Sequence, residues 1–478
     1  MIYNNMETAR VLDIFKEITR IPRESGHEGP ITDWLCKWAQ EHSLAFKRDS
    51  TGNVLIIRDA APGKESVPTI VLQAHQDMVC EKVAGFKFDF SKDPIPYVIK
   101  DGWMIAENTT LGADDGIGIA ACLALLEDSA PTGRLECLFT ISEETGMDGA
   151  EALEPGFFDG KTLINLDSED EGQLFIGCAG GLNTNIKFSV RRTAPISGFK
   201  TLQCTISGGI GGHSGDDINK GRANTVQLMA RFLYSQLGEG FRLVSIDGGG
   251  KPNAIARECQ AVVSVADPAA FKKAFSAFAS DVKDEFHTTD PSLSFECAAV
   301  KPALEPLGRK AGERIVTSLF ASPHGVYAMS QDIADLVQTS TNLASVRTSK
   351  GQVEIVTSQR SAAQSERRAM AAKVRANFEG AGAKVRHMYE YPGWNPNVHS
   401  KILKYTVDAY RRLFNTEPEV KAIHAGLECG LFLQKFPGLD MISFGPTLRG
   451  VHAPGEKLEL ASMDKFVALL DEVVRKFE

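Results

Sequence analysis

The chain has 478 residues, of which 43% are hydrophobic, 24% are charged and 8% are aromatic. These values are ordinary for a folded globular protein and argue against long disordered stretches. The 61 acidic residues outnumber the 52 Lys and Arg residues, so the net charge is −9 and the chain lacks the basic character of a nucleic-acid-binding protein. The longest apolar run, residues 117–126, is too short to span a bilayer.

The cysteine usage and the N-terminus indicate a cytoplasmic protein. The nine cysteines are scattered, most lie inside apolar stretches, and no two form a C-x-x-C pair. We interpret them as buried, reduced thiols. The first residues, MIYNNMETAR, lack the apolar core of a signal peptide. Neither a membrane nor a nucleic acid is expected as a partner.

In chain order, helices and strands alternate over the first third of the sequence. Apolar spacing predicts helices over residues 7–20, from residue 29 onward and over 117–126, and strands over 53–58, 69–74, 135–141 and 162–166. Strands that alternate with helices form crossover units, which build a mostly parallel sheet with helices on both faces.

The pattern changes after the glycine-rich stretch 177–182. Two similar halves follow, with predicted strands over 259–266 and 292–300 around a helix over 268–282, and strands over 342–347, 353–357 and 384–389 around a helix over 362–378. Residues 390–397, EYPGWNPN, are typical of a linker. Helices over 399–414 and 462–477 and a strand over 440–444 follow. We interpret the chain as an α/β domain of residues 1–186 and 395–478, interrupted by an inserted α+β lid domain of residues 187–394.

Acidic residues and a histidine follow the predicted strands of the first domain. His75 and Asp77 follow one strand, Glu143 and Glu144 another, and Asp167 a third. The carboxyl ends of the strands of an open α/β sheet line one crevice, where ligands bind. So many carboxylates in one crevice would repel one another, and divalent cations would remove that repulsion. Two cations suit this number of acids better than one.

A further acidic pair, Asp114 and Asp115, lies in a glycine-rich turn before the helix predicted at 117–126. The pair either occupies the first turn of that helix or, because LGA and GIG flank it, lies in a sharp turn that points Asp114 into the crevice. Residues 116–121 also match G-x-G-x-x-A. Two carboxylates ahead of this match would oppose a pyrophosphate, and no strand runs into it, so we discount a dinucleotide site.

Each of these features alone has an ordinary explanation. A strand-end histidine such as His75 is often only hydrogen-bonded, and Glu143 with Glu144 alone would be a typical surface acidic pair. However, imidazole and carboxylate groups are zinc ligands, and a carboxylate beside a ligating histidine fixes its tautomer. The combination therefore favours a metal site.

Two loop histidines complete the candidate set. His452 follows the strand predicted at 440–444, which places it near the same crevice. His213, in the segment GGHSG, belongs to the inserted domain. This segment lacks the last glycine of a nucleophile elbow, so a serine hydrolase is disfavoured. For both histidines, a solvated position on a surface loop is the alternative.

Together these residues predict a two-metal hydrolase. Paired metals polarise a carbonyl and lower the pKa of a bridging water to about 7, which makes that water a nucleophile. A glutamate that binds no metal would accept the proton of the water and pass it to the leaving amine. The inserted domain would bind the rest of the substrate and close over it.

The chain resembles a known family through motifs that run along nearly its whole length. They are IPRESGHE at 21–28, QAHQDMV at 73–79, LGADDGIG at 111–118, SEETGMDGA at 142–150, NLDSE at 165–169, HAGLECGLF at 424–432 and GVHAPGE at 450–456. The sequence resembles the aminoacyl-histidine dipeptidases, also called peptidase D or cytosol non-specific dipeptidase. These belong to the co-catalytic zinc peptidases, together with aminoacylase, carnosinase and peptidase T.

The resemblance implies a dinuclear metal site. Asp114 would bridge two Zn²⁺ ions, for which Co²⁺ or Mn²⁺ are possible substitutes. His75 and Asp167 would complete one metal site, and Glu144 and His452 the other. The resemblance also implies a cis peptide directly after the bridging aspartate.

The resemblance implies further roles around the metals. Glu143 would be the general base, and Asp77 would orient the histidine ligand two residues before it. His213 would stabilise the oxyanion of the tetrahedral intermediate. The candidate substrate-binding residues are Asn253 and Arg360 for the substrate carboxylate, and Glu428 for the substrate amine.

The resemblance thus implies a cytosolic zinc dipeptidase that acts on unblocked dipeptides, with Xaa-His and β-Ala-His among the candidate substrates. A tripeptide aminopeptidase or an N-acyl-amino-acid deacylase with the same metal core is the nearest alternative. A non-catalytic binding protein is another, although binding alone would not need Glu143. In smaller relatives a dimer partner supplies the oxyanion histidine, and the large insertion here allows a monomer as well as a homodimer.

Overall fold

Eleven α-helices occur within residues 6–477, the part of the chain that this computed structural model describes. They form where apolar residues recur at spacings of three and four, as with the buried residues Val11, Phe15 and Ile18 of the first helix. The helices are α1 (Thr8–Ile18), α2 (Gly29–Glu41), α3 (Ala113–Glu127), α4 (Asp148–Ala152), α5 (Thr225–Ser235), α6 (Pro268–Glu285), α7 (Arg309–Phe320), α8 (Gln364–Gly380), α9 (Lys401–Phe414), α10 (Glu428–Lys435) and α11 (Leu460–Lys476).

Strands account for most of the remaining regular structure. They are β1 (Ala45–Arg48), β2 (Val54–Arg58), β3 (Ile70–His75), β4 (Tyr97–Lys100), β5 (Trp103–Ala106), β6 (Leu135–Thr140), β7 (Thr162–Asn165), β8 (Gln173–Cys178), β9 (Gly180–Ser189), β10 (Lys200–Ser207), β11 (Phe241–Gly249), β12 (Cys259–Val265), β13 (Ser294–Ala299), β14 (Gly325–Met329), β15 (Val337–Thr348), β16 (Gln352–Ser361), β17 (Lys384–Tyr391), β18 (Glu419–Ile423), β19 (Asp440–Ser443), β20 (Leu448–Arg449) and β21 (Lys457–Glu459). The helices and strands predicted from the sequence are present, with ends shifted by a few residues.

The first compact unit comprises the chain up to Gly177, residues Trp394–Ala422, and the chain from Leu427 on. It contains an eight-stranded sheet in the order β1-β2-β6-β3-β7-β19-β8-β18 and a four-stranded sheet in the order β20-β21-β5-β4. Strands β6, β3, β7 and β19 are parallel, whereas β1 pairs antiparallel with β2, β2 with β6, and β8 with β19. The expected parallel arrangement therefore describes the centre of a mixed sheet.

The central strands of this sheet are covered on both faces. Every residue of β3 and β6 is buried, which explains the nearly continuous apolar sequence of both strands. Helix α3 is buried on all sides from Gly116 to Leu126, so its sequence is apolar all round rather than amphipathic. Polar residues in such surroundings therefore need specific partners; Gln73 within β3, for example, donates to Thr140 at 3.1 Å and to Glu428 at 2.7 Å.

The second compact unit comprises Cys178–Gly393 and Ile423–Gly426. Its sheet has the order β13-β10-β12-β11-β15-β16-β9-β17, with β14 added beside β15. The two halves that the sequence pattern indicates contribute strands to this one continuous sheet. In its core the Phe232 ring lies 5.2 Å from the ring of Phe271 and 4.8 Å from that of Phe275.

Strand β9 determines where the second unit begins. It pairs with β16 and β17 along its length, so the boundary expected after residue 186 would cut through a strand of this sheet. Ile423–Gly426 also joins the second unit, and the Ala179 amide donates to the Ile423 carbonyl at 3.0 Å. Within residues 6–477, every helix is too short or too polar to cross a membrane.

Candidate active site

In the first unit, the carboxyl ends of parallel strands bring together the candidate metal ligands. His75 ends β3 and is in register with Thr140, which ends β6. Strand β7 ends two residues before Asp167, and Glu143 and Glu144 follow closely after β6. Because parallel neighbours in register end at the same edge of the sheet, the side chains that follow them converge there.

Two groups of donor atoms share Asp114. The His75 Nε2 atom lies 2.9 Å from Asp114 Oδ1 and 3.3 Å from Asp167 Oδ1. The His452 Nε2 atom lies 3.1 Å from Asp114 Oδ2 and 2.8 Å from Glu144 Oε1. Each group offers one imidazole nitrogen and two carboxylate oxygens, all within 4.8 Å of one another. This is a donor set that suits divalent transition-metal cations.

The electrostatics of the cluster also fit bound cations. Burial, reinforced by the nearby Asp114 carboxylate, raises the pKa of Asp167 well above its usual range. Hydrogen bonds to Asp114 and Glu144 raise the pKa of His452 to about 11. Without a cation, the cluster therefore tends to bind protons. Divalent cations would replace those protons and stabilise the ionised carboxylates.

Glu143 lies beside these groups and can also form a set of donors with His75 and Glu144. Burial raises the pKa of Glu143 well above its usual range, and the carboxylates of Glu428 and Glu144 add to this effect. A carboxylate with a raised pKa is a stronger base than one exposed to water. Glu143 therefore has the properties of a proton acceptor next to the candidate metal ligands.

Asp77 connects the candidate ligand His75 to the loop that contains Glu143 and Glu144. The His75 Nδ1 atom lies 3.0 Å from the Asp77 carbonyl oxygen and 3.3 Å from Asp77 Oδ1. The buried Asp77 carboxylate also accepts the backbone amides of Glu143 and Glu144, at 3.0 and 3.2 Å, and the Ser25 hydroxyl at 2.7 Å. Oxygen acceptors at Nδ1 favour a proton on that nitrogen, which would leave the Nε2 lone pair free for a cation held together with Asp114 and Asp167.

Glu456 holds the loop that precedes Asp114. Its buried carboxylate accepts the backbone amides of Leu111 at 2.7 Å, Gly112 at 3.0 Å and Ala113 at 2.8 Å. Three charge-assisted hydrogen bonds to consecutive amides fix the path of the backbone. The peptide bond that follows Asp114 is cis, as the resemblance implied.

Arg23 joins the same loop to the residues that follow β3. Its guanidinium donates to the carbonyls of Gln76 at 3.1 Å and Asp77 at 2.8 Å, and also to the carbonyl of Gly112. Gly112 has a φ of +69°, and a Cβ there would lie 2.5 Å from the Arg23 guanidinium and 2.7 Å from the Met78 sulfur. Only glycine fits this turn without displacing the arginine.

The sequence analysis missed these positioning residues, although they lie in the quoted motifs. Arg23 and Glu28 come from IPRESGHE, and Glu456 ends the motif that contains His452. Glu28 accepts both the amide and the hydroxyl of Ser142, each at 3.0 Å, directly before the glutamate pair. The sequence did contain a signal for these positioning residues. They are charged residues within the family motifs, and one of these motifs also carries the candidate ligand His452.

Glu428 is buried in the first unit at the start of α10. Its Oε2 atom accepts hydrogen bonds from Gln73 at 2.7 Å and Thr140 at 2.8 Å. Its Oε1 atom has no hydrogen-bond partner among the described residues. Burial raises the pKa of Glu428 to about 7. One carboxylate oxygen is thus fixed by its neighbours, and the other is available to a donor.

In the second unit the structure brings His213 and Arg360 together. The Arg360 Nη2 atom lies 3.4 Å from His213 Nε2, and Nη1 donates to the Tyr391 hydroxyl at 3.1 Å. Asp216 Oδ2 lies 3.0 Å from His213 Nδ1. The exposed Asn253 is also nearby, since its carbonyl accepts the Ser214 amide at 2.9 Å. The predicted linker thus contributes Tyr391 to this group, a role that its Pro- and Gly-rich sequence did not indicate.

His424 is a further member of this group that the sequence analysis did not single out. It is buried, and its Nε2 atom lies 2.7 Å from the Ser340 hydroxyl. Burial, with a smaller contribution from the positive charge of Arg360, lowers the pKa of His424 to about 3. The imidazole is therefore neutral near pH 7.

The fold and the site define a hydrolase class in which an α/β unit with a candidate dinuclear metal centre is interrupted by a second α+β unit. The chain belongs to peptidase family M20/M25/M40, whose sequence model matches residues 71–476. The match covers every candidate metal ligand from His75 to His452. The protein is therefore a peptidase, and the family expected from the sequence motifs is confirmed.

Two relatives match nearly the whole chain. The cytosol non-specific dipeptidase of Escherichia coli K12 is 38% identical over 468 residues, covering 97% of this chain and 96% of that protein. The crystal structure of an aminoacylhistidine dipeptidase from Vibrio alginolyticus is 37% identical, with a TM-score of 0.90, and the match covers 98% of this chain and 97% of that one.

A more distant structure shares the fold alone. The aminopeptidase PepT from Bacillus cereus is 16% identical, with a TM-score of 0.58, and the match covers 98% of both chains. The α/β architecture with its inserted unit therefore extends to distant sequences.

Proposed function

We propose that this protein is a metal-dependent dipeptidase that hydrolyses the peptide bond of dipeptides with a free amino terminus. The observation that carries the proposal is the pair of donor groups that share Asp114 next to Glu143. The family match makes the chain a peptidase. The two relatives whose names include "dipeptidase" are 37% and 38% identical to it, and this supports dipeptides as the substrates.

In this proposal, His75 and Asp167 would hold one divalent cation, Glu144 and His452 would hold the other, and Asp114 would contribute to both sites. The proposed metal is Zn²⁺, which imidazole and carboxylate ligands suit, with Co²⁺ or Mn²⁺ as substitutes. When bound, the cations polarise the scissile carbonyl and lower the pKa of water at the site. The other residues of the site orient the metal-binding side chains and transfer the protons.

Glu143 is the proposed general base. It accepts a proton from the attacking water and later donates it to the nitrogen of the leaving amino acid. Its raised pKa supports both steps. A carboxylate with a raised pKa is a stronger base toward the water and, once protonated, can still donate the proton to the leaving amine. Asp77 acts as a positioning residue, through its contacts to the His75 ring and to the amides of Glu143 and Glu144.

In the second unit, we propose that His213 stabilises the oxyanion and that Arg360 and Asn253 bind the substrate carboxylate. Arg360 supports this role because it is buried and its Nε atom has no hydrogen-bond partner within residues 6–477. A guanidinium presents two parallel N–H groups that match a carboxylate. A site that binds the carboxylate of the second residue would limit substrates to two residues.

Glu428 is the proposed binding residue for the substrate ammonium group. Its Oε1 atom has no hydrogen-bond partner among the described residues, and a bound ammonium group would favour the ionised carboxylate. An N-acyl substrate lacks that positive charge and would leave the buried carboxylate without a cationic partner. This favours unblocked dipeptides over acylated amino acids, with Xaa-His and β-Ala-His as candidate substrates.

We also propose a cytoplasmic location, which the name of the Escherichia coli relative supports. A monomer and a homodimer both remain compatible with this proposal, and sedimentation velocity on the purified chain would distinguish them.

The test is a substrate panel for the zinc-loaded protein: β-Ala-His, Gly-His, Leu-Gly, Ala-Ala-Ala and N-acetyl-Leu, with free amino acids measured by mass spectrometry. A chelator-treated sample is the control. We expect chelator-sensitive cleavage confined to the dipeptides. Cleavage of only the tripeptide would contradict the dipeptidase proposal in favour of a tripeptide aminopeptidase. Cleavage of only the acylated amino acid would contradict it in favour of an N-acyl-amino-acid deacylase. No cleavage by protein with two bound metals would contradict the proposed hydrolysis.

A further inference from the structure

Two cysteines of the second unit face each other across a pair of strands. Cys204 in β10 and Cys297 in β13 are directly opposite in register, and their Sγ atoms lie 3.5 Å apart. Both are free thiols. They are 93 positions apart in the chain, so their sequence spacing gives no indication of this contact.

The hydrogen-bond ladder shows which kind of pair the two cysteines form. The Val300 amide donates to the Thr201 carbonyl at 3.2 Å, which makes these two residues a hydrogen-bonded pair. Hydrogen-bonded and non-hydrogen-bonded pairs alternate along antiparallel strands. Cys204 and Cys297 lie three positions further along and are therefore a non-hydrogen-bonded pair. Such pairs have Cα atoms about 4.5 Å apart, within the range of roughly 4.4–6.8 Å that a disulfide spans.

The two thiols differ in accessibility. Strand β13 is an edge strand of its sheet, and most of its residues are exposed. Cys297 on this strand is partly exposed, whereas Cys204 on the neighbouring strand is buried. A small reagent from solvent therefore reaches Cys297 first, and Cys204 lies where it can react with the sulfur of a modified Cys297.

We propose that Cys204 and Cys297 form a reversible modification site that reacts with small organic disulfides such as oxidised glutathione. The Cys297 thiolate attacks one sulfur of the small disulfide, which breaks its S–S bond, forms a mixed disulfide and releases one small thiolate. The Cys204 thiolate then attacks the Cys297 sulfur and releases the second. The two thiol protons of the protein end on the two released thiols, and the protein gains one disulfide.

The location gives the disulfide a structural consequence within the second unit. His213 and Asn253 both lie between the two cysteines in sequence, so the bond closes a loop of chain that contains them. Asp290, four residues before β13, already accepts the amides of Ile210 and Ala223 at 2.6 and 2.7 Å. A covalent link from β13 to β10 would therefore restrain the start of the segment that leads from β10 to His213, a segment that Asp290 already holds at Ile210.

The test treats the reduced, full-length protein with oxidised glutathione, followed by acid quenching and peptide mapping by mass spectrometry. In the wild type, we expect a linked Cys204–Cys297 peptide pair that has lost two hydrogen atoms and that separates on reduction. In Cys204→Ser the reaction is expected to stop at a glutathione adduct on Cys297. In Cys297→Ser, Cys204 is expected to stay a thiol, because solvent does not reach it.

Cys36, which is also partly exposed, serves as the internal reference for reagent activity. If Cys36 reacts while Cys204 and Cys297 stay reduced in the wild type, the proposal is overturned. It is likewise overturned if wild-type Cys297 stays a glutathione adduct, as in Cys204→Ser, because the second exchange step would then not occur. Circular dichroism of both serine variants establishes that they remain folded.

Discussion

Glu143 and Glu144 are adjacent in sequence, yet their carboxylates have different surroundings. The Glu144 carboxylate lies 2.8 Å from His452 Nε2 and belongs to a donor group with Asp114. Glu143 has a pKa that burial raises well above its usual range. The loop after β6 thus offers one carboxylate suited to hold a cation and a second suited to accept a proton.

This difference predicts opposite results for two isosteric variants. We expect Glu143→Gln to retain its metal content and to lose activity by a factor of about 10²–10⁴ in kcat, because the amide accepts no proton. We expect Glu144→Gln to lose metal, because one ligand is weakened. Metal content by mass spectrometry and steady-state kinetics check both. Activity of Glu143→Gln near that of the wild type would place the general base elsewhere.

His213 allows a second prediction at the scale of single residues. If its ring donates to the developing oxyanion, His213→Ala lowers kcat by a factor of about 10²–10³ and changes KM less. His287→Ala, which removes an exposed histidine of the same unit, is the matched control and is expected to leave kcat unchanged. A kcat of His213→Ala equal to that of the control would exclude the histidine from the chemical step.

At the scale of structural elements, loops rather than strands fix the relative positions of the candidate ligands. Glu456 binds three consecutive amides before Asp114, and Arg23 connects the same loop to the backbone after β3. The strands bring the ligands to one edge of the sheet. The buried charged residues then hold the loops so that the donor atoms converge.

Glu456→Gln tests this positioning role. The amide keeps the shape of the side chain but loses its charge and one of its two acceptor oxygens, so the three backbone hydrogen bonds weaken. We expect metal affinity to fall by roughly 10- to 100-fold, as for other residues that support metal ligands indirectly. Metal affinity is measured by competition with a chelating dye. Glu459→Gln, in β21, is the matched control, and equal affinities in the two variants would contradict the positioning role.

The strand-rich second unit carries a pH-dependent contribution to stability at His424. Burial lowers the pKa of this histidine to about 3, while its value in the unfolded chain is about 6.5. Between these pH values the unfolded state binds a proton that the folded state does not. The free energy of unfolding therefore decreases as pH falls below about 6.5, by up to about 1.4 kcal/mol per pH unit.

We expect the free energy of unfolding of His424→Gln to vary less with pH than that of the wild type, because glutamine does not titrate. Urea denaturation midpoints at several pH values from 4 to 7 measure the effect, with His287→Gln as the control in the same unit. A wild-type pH dependence in His424→Gln would show that His424 is not the group responsible.

At the scale of the whole molecule, metal binding is linked to proton release. Asp167 has a raised pKa through burial, and His452 holds its proton with a pKa of about 11 through its contacts to Asp114 and Glu144. As metal ligands, these two side chains would bind cations only after losing their protons. The apparent metal affinity of the whole protein is therefore expected to rise with pH.

We expect chelator-treated protein to release protons when Zn²⁺ is added near pH 7. Isothermal titration calorimetry in buffers with different ionisation enthalpies measures the number released. Zinc binding without proton release between pH 6 and 8 would contradict the coupling between the ligands and their protons.

Much of the fold could be predicted from the sequence, because buried strands and amphipathic helices leave recognisable apolar patterns. The fully buried strands β3 and β6 appear as apolar runs, and α1 appears as a periodic pattern. The division between the units was less predictable. Strand β9 begins within the glycine-rich stretch 177–182, and its residues on both sides of the expected boundary pair with β16 and β17. The return of residues 423–426 to the second unit leaves no mark in composition.

The sequence by itself determined the peptidase family, because its motifs consist of short runs in which the order of residues is specific. It also indicated the candidate ligands at the strand ends, because a parallel sheet brings the residues after its strands to one edge. Only the tertiary structure showed which atoms approach one another. Asp114 lies between two histidines, Arg360 contacts His213, and Cys204 faces Cys297. These contacts join residues that are distant in the chain, and chain-distant contacts depend on packing and strand register, which local sequence patterns do not encode.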